Sequence, residues 1–375
     1  AVFTVTNVPS LNLVTEDNVI NLAERTSGVT LTGTAGKDDT VTLRHADGTV
    51  MRAGIVTVDP HNGTQLWNWS YTLTEADWTK LGAASANNVK KTITLQSHNT
   101  VNGLDSILVN GEFFIDTVVP AFSSPIRLEV DSGEPGDRIT NNGKIIVPAP
   151  EAGVSWSYQI DGGNFQTGSG TSFVVDEGAH TVIVRQRDGA GNSTDQNLMV
   201  TVDTIAPLKS TVALEDDTGE RDDDFITRTG VVKVTGLEPG VKWQHRSGSS
   251  GAWIDHGLAG PADSEHSVDL SAGTDGERRI EVRQIDAAGN ESPISTELVF
   301  ILDRTGPVLT LQLAQDTGTA GDRITFNGTV QVNGLEAGRA WAYQIDGGDW
   351  QAVSGSAGLN TVAVSGQRTG GTDGL

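Results

Sequence analysis

The sequence predicts an all-β fold built from a tandem series of small β-sandwiches, and three features of the chain predict it. A long segment at 131–166 is repeated at 316–351, with a looser third copy at 216–254. Apolar and polar residues alternate in segments such as HTVIVRQRD (180–188), which is typical of half-buried strands. The chain of 375 residues contains 45 glycines, and motifs such as DGG and DGAGN supply turns between short strands.

The repeats divide the chain into four predicted domains. An aspartate and a proline four residues apart mark each seam, in DTVVP (116–120), DTIAP (203–207) and DRTGP (303–307). The seams lie 87 and 100 residues apart, which is the size of an immunoglobulin-like sandwich. The predicted domains span residues 1–115, 116–202, 203–302 and 303–375.

The first domain is predicted to be an immunoglobulin-like domain of a divergent type, and the fourth is predicted to be incomplete. In the first domain, NLAER (21–25) and TEADWTKLG (74–82) indicate helical turns. The fourth domain follows the repeat to YQIDGGDWQ (343–351) and then diverges, without the VRQxDxAGN strand and the final strand. The segment LNTVAVSGQR (359–368) is a candidate substitute for the missing sixth strand.

Three tryptophans, Trp156, Trp243 and Trp341, occupy one repeat position just after EAG or EPG. A tryptophan on the third strand of a sandwich normally belongs to the core. Because the residue recurs with the repeat and not with a polar pocket, we predict a core role; ligand stacking is the alternative.

The composition excludes several classes of function. The chain has 25 lysines and arginines against 48 aspartates and glutamates, a net charge of −23, which would repel nucleic acid and anionic membranes. It has no cysteine, which excludes disulfides, zinc–thiolate sites and thiol catalysis. No apolar run reaches the roughly 20 residues of a spanning helix, so membrane insertion is not expected. The start AVFTVTNV shows no signal peptide and is typical of the interior of a longer protein.

The repeats resemble the tandem bacterial immunoglobulin-like repeats of giant type I-secreted surface adhesins, the repeats-in-toxin (RTX) and biofilm-associated adhesins. The motifs that carry this resemblance are GDRIT, GLExG…WxYxIDGG, VRQxDxAGN and DTxAP, and they cover nearly the whole chain. The resemblance implies an extracellular, monomeric rod that extends an adhesin from the bacterial surface and supports adhesion or biofilm formation. It also implies calcium at the domain junctions, neighbouring domains of the same chain as partners, and a host, surface or biofilm ligand bound elsewhere in the parent protein.

The topology of a seven-stranded sandwich gives these junctions a predicted set of calcium ligands. Head-to-tail stacking places the A–B loop of one domain against the F–G loop of the next, with the linker between them. The A–B loops are residues 131–137, 216–224 and 316–322 in domains two to four, and the F–G loops are residues 188–192 and 286–290 in domains two and three. Calcium takes six to eight oxygen ligands, which aspartates from three loops would supply. At the first junction the predicted ligands are Asp17, Asp116, Asp188 and Asn192; at the second they are Asp131, Asp137, Asp203, Asp286 and Asn290; at the third they are Asp216, Asp217, Asp222, Asp224 and Asp303. The alternative for each residue is an ordinary turn or cap role.

No catalytic motif is present in the sequence, and we predict that the chain is not an enzyme. It lacks the G-x-S-x-G elbow, the P-loop and H-E-x-x-H. His245, His256 and His266 cluster loosely, and we expect exposed loop histidines there and not a metal site. Two alternative functions stay open: a glycan- or protein-binding module through the divergent first domain, which carries Trp67 and Trp69, and ancillary domains of a secreted polysaccharide-active enzyme.

Overall fold

The computed structural model describes residues 7–58, 65–219, 221–261, 266–336, 340–353 and 361–364. These residues are mostly strands and turns, and they contain two short helices. The predicted all-β class is therefore confirmed. Among the described residues, no helix combines the length and the apolar character needed to span a bilayer.

The chain divides into two compact units. Unit one comprises Ala1–Leu208, Glu238–Trp243 and Gln284–Pro293, and unit two comprises Lys209–Leu237, Gln244–Arg283 and Ile294–Leu375. We keep the predicted boundaries as names and describe domains one to four in order. Unit one holds domains one and two with two loop segments of domain three, and unit two holds the rest.

Domain one packs two sheets around a single core. Its elements are β1 (Val19–Ile20), α1 (Leu22–Ser27), β2 (Thr30–Gly36), β3 (Asp39–His45), β4 (Val50–Val56), β5 (Leu66–Thr72), α2 (Glu75–Leu81), β6 (Val89–Asn99) and β7 (Val109–Ile115). The sheet orders are β1-β7-β6-β3-β4 and β2-β5, with β1 parallel to β7. Strand β3 alternates buried and half-buried residues along its whole length, as a strand with one face on the core should.

The two helices of domain one lie where the sequence predicts helical turns. Each begins with a capping box, in which Asn21 and Thr74 exchange hydrogen bonds with the residues three positions on. This reciprocal bonding satisfies backbone donors that a helix start otherwise leaves unpaired.

Domain two is a sandwich of a three-stranded and a five-stranded sheet. Its strands are β8 (Arg127–Leu128), β9 (Ile139–Thr140), β10 (Lys144–Ile146), β11 (Ser155–Ile160), β12 (Gln166–Thr167), β13 (Ser172–Val174), β14 (Gly178–Arg187) and β15 (Ser193–Val202). The orders are β13-β10-β8 and β12-β11-β14-β15-β9. Trp156 on β11 is 6% exposed, and its indole N–H donates to the carbonyl of Gly170 at 3.2 Å. The predicted core role of this tryptophan is confirmed.

Domain three repeats this arrangement. Its strands are β16 (Thr211–Leu214), β17 (Ile226–Thr227), β18 (Val231–Thr235), β19 (Lys242–Arg246), β20 (Ile254–Leu258), β21 (His266–Asp269), β22 (Gly276–Ile285) and β23 (Leu298–Leu302). The orders are β16-β18-β21 and β17-β23-β22-β19-β20. Trp243 is buried, as predicted.

Domain four contributes two small sheets among the described residues. Its strands are β24 (Thr310–Leu313), β25 (Thr329–Asn333), β26 (Trp341–Tyr343), β27 (Gln351–Val353) and β28 (Thr361–Ala363), in the orders β24-β25-β28 and β26-β27. β28 pairs with β25 as β13 pairs with β10 in domain two. The described part of LNTVAVSGQR, residues 361–364, therefore takes the place of β13 and not of β14, which is the strand that carries the VRQxDxAGN motif. Burial of Val362 against the domain explains this placement.

Candidate metal sites at the domain junctions

One aspartate in each domain caps a turn, and in domains one to three that turn leads into the short parallel strand β1, β9 or β17. The carboxylate accepts a hydrogen bond from the backbone N–H two residues on. These bonds are 2.8–3.0 Å long and join Asp17 to Val19, Asp137 to Ile139, Asp224 to Ile226, and Asp322 to Ile324. The residue between each pair has a positive φ, as at Asn18 and Arg138, both at 63°. The alignment of Asp17 with Asp137 is reproduced, and these side chains serve their own turns.

The three seam aspartates, Asp116, Asp203 and Asp303, each follow the last strand of a domain and make equivalent hydrogen bonds there. The backbone N–H of Asp116, Asp203 and Asp303 donates at 2.9 Å to a carbonyl of the short parallel strand beside it. Each carboxylate also accepts from the N–H two residues on, at 3.0–3.3 Å. The seam aspartates therefore hold the start of each linker in a fixed conformation.

Asn192 draws two predicted ligands together at the first junction. This residue is 5% exposed, and its Nδ2 donates at 3.0 Å to the carbonyl of Asp116 and at 3.0 Å to the carboxylate of Asp188. Its Oδ1 accepts from the N–H of Leu22 at 2.8 Å. Asn21 adds a bond from its Nδ2 to the carbonyl of Ala190 at 3.1 Å. The F–G loop of domain two is thus joined to domain one as the topology predicts.

The described residues that line the cleft at this junction include acidic side chains and no basic one. Burial raises the pKa of Asp116, and the charge of Asp188 raises it further. Both side chains line a cleft of about 540 Å³ that also contains Asn88 and Glu151, and no lysine or arginine is among its described lining residues. Carboxylate and amide oxygens that line one cleft suit a hard cation such as Ca²⁺. Asp17 lies outside this lining.

At the second junction the same contacts recur with the equivalent residues. Asn290 donates from Nδ2 to the carbonyl of Asp203 at 2.7 Å and to the carboxylate of Asp286 at 2.9 Å. The A–B loop of domain two meets this F–G loop, because the hydroxyl of Ser132 donates to the carbonyl of Ala288. The structure therefore brings Asp203, Asp286 and Asn290 together.

The two A–B loop aspartates of domain two serve mainly that loop. Asp131 accepts from the N–H of Gly136 at 2.8 Å through Oδ2, while its Oδ1 is buried and has no hydrogen-bond partner in the described part of the chain. Asp137 is exposed and caps its own turn. An orphaned carboxylate oxygen is costly to bury, and a cation would satisfy it.

The residues of the third junction lie in unit two. Asp224 and Asp303 line a cleft of about 540 Å³ together with Glu336, and Arg228 and Arg304 line it as well. Asp217 accepts from the N–H of Phe225 at 3.1 Å, and its other oxygen is buried without a partner among the described residues. The side chains of Asp216 and Asp222 are exposed. Across all described residues, no group of three or more acidic or histidine side chains is close enough to hold a metal ion by itself.

Sequence reasoning missed the glutamates that line these clefts. Glu151 and Glu336 come from the EAG motif that precedes the core tryptophan in the repeat. Both glutamates stand at the same repeat position before Trp156 and Trp341. This recurrence could have marked them as candidate junction residues. Asn88 belongs to the divergent first domain, and no repeat pattern marks it.

The predicted loop position of the histidines is wrong, because all three lie on strands. His245 on β19 is 7% exposed, and its Nδ1 lies 2.5 Å from Nε2 of His256 on β20. Burial lowers the pKa of both.

In domain one, Trp69 is in the core, whereas Trp67 is half-buried with the Lys37 ammonium 5.9 Å from its ring centroid.

Solved structures with tandem β-domains match this chain over most of its length. A 1.5-MDa bacterial ice-binding adhesin matches with 21% identity and a TM-score of 0.32, over 80% of this chain and 98% of that one. A Ca²⁺-stabilized adhesin with which an Antarctic bacterium binds ice matches with 20% identity and a TM-score of 0.37, over 88% and 82%. A tetra-tandem repeat from the extending region of a large adhesion protein matches with 17% identity and a TM-score of 0.27, over 96% and 90%. No family model and no curated protein matches the chain.

Proposed function

We propose that the chain is a structural extender of a bacterial cell-surface adhesin, without catalysis, whose domain junctions bind calcium ions that stiffen them. The observation that carries the metal part is the first junction, where Asn192 holds the buried Asp116 beside Asp188 in a cleft without a described basic side chain. In this role the protein acts outside the cell, and its partners are its own neighbouring domains.

The ligands at each proposed site follow from which oxygens share a cleft or a hydrogen-bonded group. At the first junction Asp116, Asp188 and Glu151 line one cleft, and a calcium ion would have to draw them closer together than the structure places them. At the second, Asp203 and Asp286 are tied by Asn290, and the orphaned oxygen of Asp131 lies on the adjoining loop. At the third, Asp224, Asp303 and Glu336 line one cleft. Bound calcium would supply positive charge that neutralises these carboxylates.

The first two junctions are also joined by direct hydrogen bonds that need no metal. Asn192 and Asn290 each bond the carbonyl of the preceding seam aspartate, and the carbonyls of Ala190 and Ala288 accept from the preceding domain. Calcium would therefore add stability to a junction that is already positioned. Removing it should loosen the junctions and leave the separate sandwiches folded.

Replacing Asp116 by asparagine tests the first site. The raised pKa of Asp116 means that its charged form is disfavoured in the fold. Without metal, the stability it contributes is present at low pH and is lost as pH rises through the folded pKa. We expect Asp116→Asn in EDTA at neutral pH to melt at or above the wild-type temperature. At calcium concentrations 100 times Kd each occupied site should add about 2.7 kcal/mol, and the variant should lose only the contribution of the first junction.

Scanning calorimetry with and without calcium measures this difference, and small-angle scattering reports whether EDTA makes the chain shorter or more variable. Asp105→Asn is the matched control, because Asp105 is an exposed aspartate of domain one that pairs with His98 far from the cleft lining. Equal calcium responses in wild type and Asp116→Asn would remove Asp116 from the site. No calcium response at all would end the metal proposal.

Two substitutions at Asp203 separate its turn role from metal binding. Its backbone N–H and carbonyl are bonded to Thr140 and Asn290, and both bonds survive any side-chain change. Asparagine keeps the acceptor for the N–H of Ile205, whereas alanine loses it at a cost of about 1 kcal/mol. Both variants should lose calcium stabilisation of the second junction, and only Asp203→Ala should also melt lower in EDTA. A full calcium response in both would assign Asp203 to the turn alone.

A further inference from the structure

The second linker is held to domain three by a closed ring of three hydrogen bonds. Leu208, the residue after the linker proline, donates its N–H to the carboxylate of Glu238 at 2.7 Å. Its carbonyl accepts from Nε2 of Gln284 at 2.8 Å, and Oε1 of Gln284 accepts from the N–H of Glu238 at 2.7 Å. We call this ring, formed by Leu208, Glu238 and Gln284, the latch. It fixes the linker against the sandwich that follows.

The first linker has the same residue types at the equivalent positions, but its latch is not formed. Gln186 replaces Gln284 in the VRQ motif, and Glu151 replaces Glu238 in the motif before the core tryptophan. Gln186 is 1% exposed, yet neither Oε1 nor Nε2 has a hydrogen-bond partner in the described part of the chain. Ala121, which follows the linker proline, lines the open cleft together with Glu151. A buried amide in this state is costly, and the residues that bond its equivalent in domain three have counterparts here in Ala121 and Glu151.

A length difference explains why one latch is closed and the other is open. Leu128 and Leu214 hold the same place in the sandwich, because they pair with Ile145 and with its repeat equivalent Val232. Seven residues separate Pro120 from Leu128, and six separate Pro207 from Leu214. The first linker therefore joins domain two through a segment that is one residue longer.

The longer segment is also hydrogen-bonded to the neighbouring strand. The N–H of Ile126 donates to Oε1 of Gln196 on β15 at 2.9 Å. Pro125 precedes this residue and restricts the backbone there. The extra residue lengthens the segment between this tether and the linker proline.

We propose that the first linker opens and closes as a latch, whereas the second is permanently latched. In the closed state Gln186 donates to the carbonyl of Ala121 and accepts from the N–H of Glu151, and the Glu151 carboxylate accepts from the N–H of Ala121. Closing satisfies the orphaned amide and narrows the cleft beside Asp116. The first junction is therefore the compliant one, and this difference does not depend on calcium.

The absence of cysteine from the chain allows a direct test with spin labels on engineered cysteine pairs. Val119→Cys with Ala152→Cys spans the first cleft, and the repeat-equivalent pair Ala206→Cys with Pro239→Cys spans the second linker; all four sites are exposed. Pulsed electron–electron distance measurements on the full chain in EDTA should give two distances for the first pair and one for the second. Gln186→Met, which keeps the side-chain volume and removes both polar atoms, should abolish the shorter distance of the first pair.

The matched variant is Gln284→Met, which breaks the closed latch and should broaden the single distance of the second pair. Circular dichroism and tryptophan fluorescence check that each variant remains folded, and if Gln284→Met does not fold, the first pair with and without Gln186→Met still decides. A single distance for the first pair that Gln186→Met leaves unchanged would overturn the latch. Because calcium is absent from the measurement, failure of the metal proposal leaves the result interpretable.

Discussion

Gly133→Ala should separate the second junction while both neighbouring sandwiches stay folded. Gly133 has a φ of +76°, and a Cβ built there would lie 1.9 Å from the carbonyl oxygen of Ala287 in the facing F–G loop. Real carbon and oxygen atoms do not approach so closely, so one loop has to move. The left-handed backbone adds about 1–2 kcal/mol of strain, and the forced displacement adds about 1–3 kcal/mol.

Gly136→Ala is the matched control for this prediction. Gly136 lies on the same loop with a φ of +96°, but nothing lies within 4 Å of its built Cβ. It should show the backbone strain without the clash. Calorimetry and limited proteolysis of the loops at 131–137 and 286–290 distinguish the two variants. Equal melting and equal cleavage in both would mean that the loops do not touch as closely as the structure shows.

Trp156→Ala should have the largest effect on a single domain, a loss of about 3–5 kcal/mol in the unfolding free energy of domain two. The indole is 6% exposed, donates to Gly170, and packs so closely on Gly168 that a Cβ there would lie 2.2 Å from the ring. Its removal leaves a cavity between the two sheets and an unpaired carbonyl. Domain two should then melt well before domain one.

The control for the core tryptophan is Trp350→Ala. Trp350 is 69% exposed, so its loss should change stability by less than about 0.5 kcal/mol. Urea unfolding followed by fluorescence and circular dichroism measures both variants. A similar small change in Trp156→Ala would contradict the assignment of Trp156 to the core.

The same turns that made the aspartates visible in the sequence also explain why only some of them meet. Asp17, Asp137 and Asp224 each stand before a residue with positive φ and accept the N–H of the residue two positions on, so their role depends only on the local turn. Asp116 and Asp188 come together through Asn192, which is 76 residues from the first and four from the second. The first group can therefore be predicted as turn residues from the sequence. The meeting of Asp116 and Asp188 depends on how the chain folds and could not be predicted in this way.

The sequence by itself determined the all-β class, the repeated sandwiches, the two helical turns and the core role of Trp156, because alternation, turn residues and capping boxes act over a few neighbouring residues. Only the tertiary structure decided which polar groups share a junction. Glu151 reaches the cleft of Asp116 because its loop and the seam lie at one end of domain two. Gln186 is orphaned while Gln284 is bonded, although both stand in the same motif. Such a difference appears only when separate segments of the chain are brought into contact.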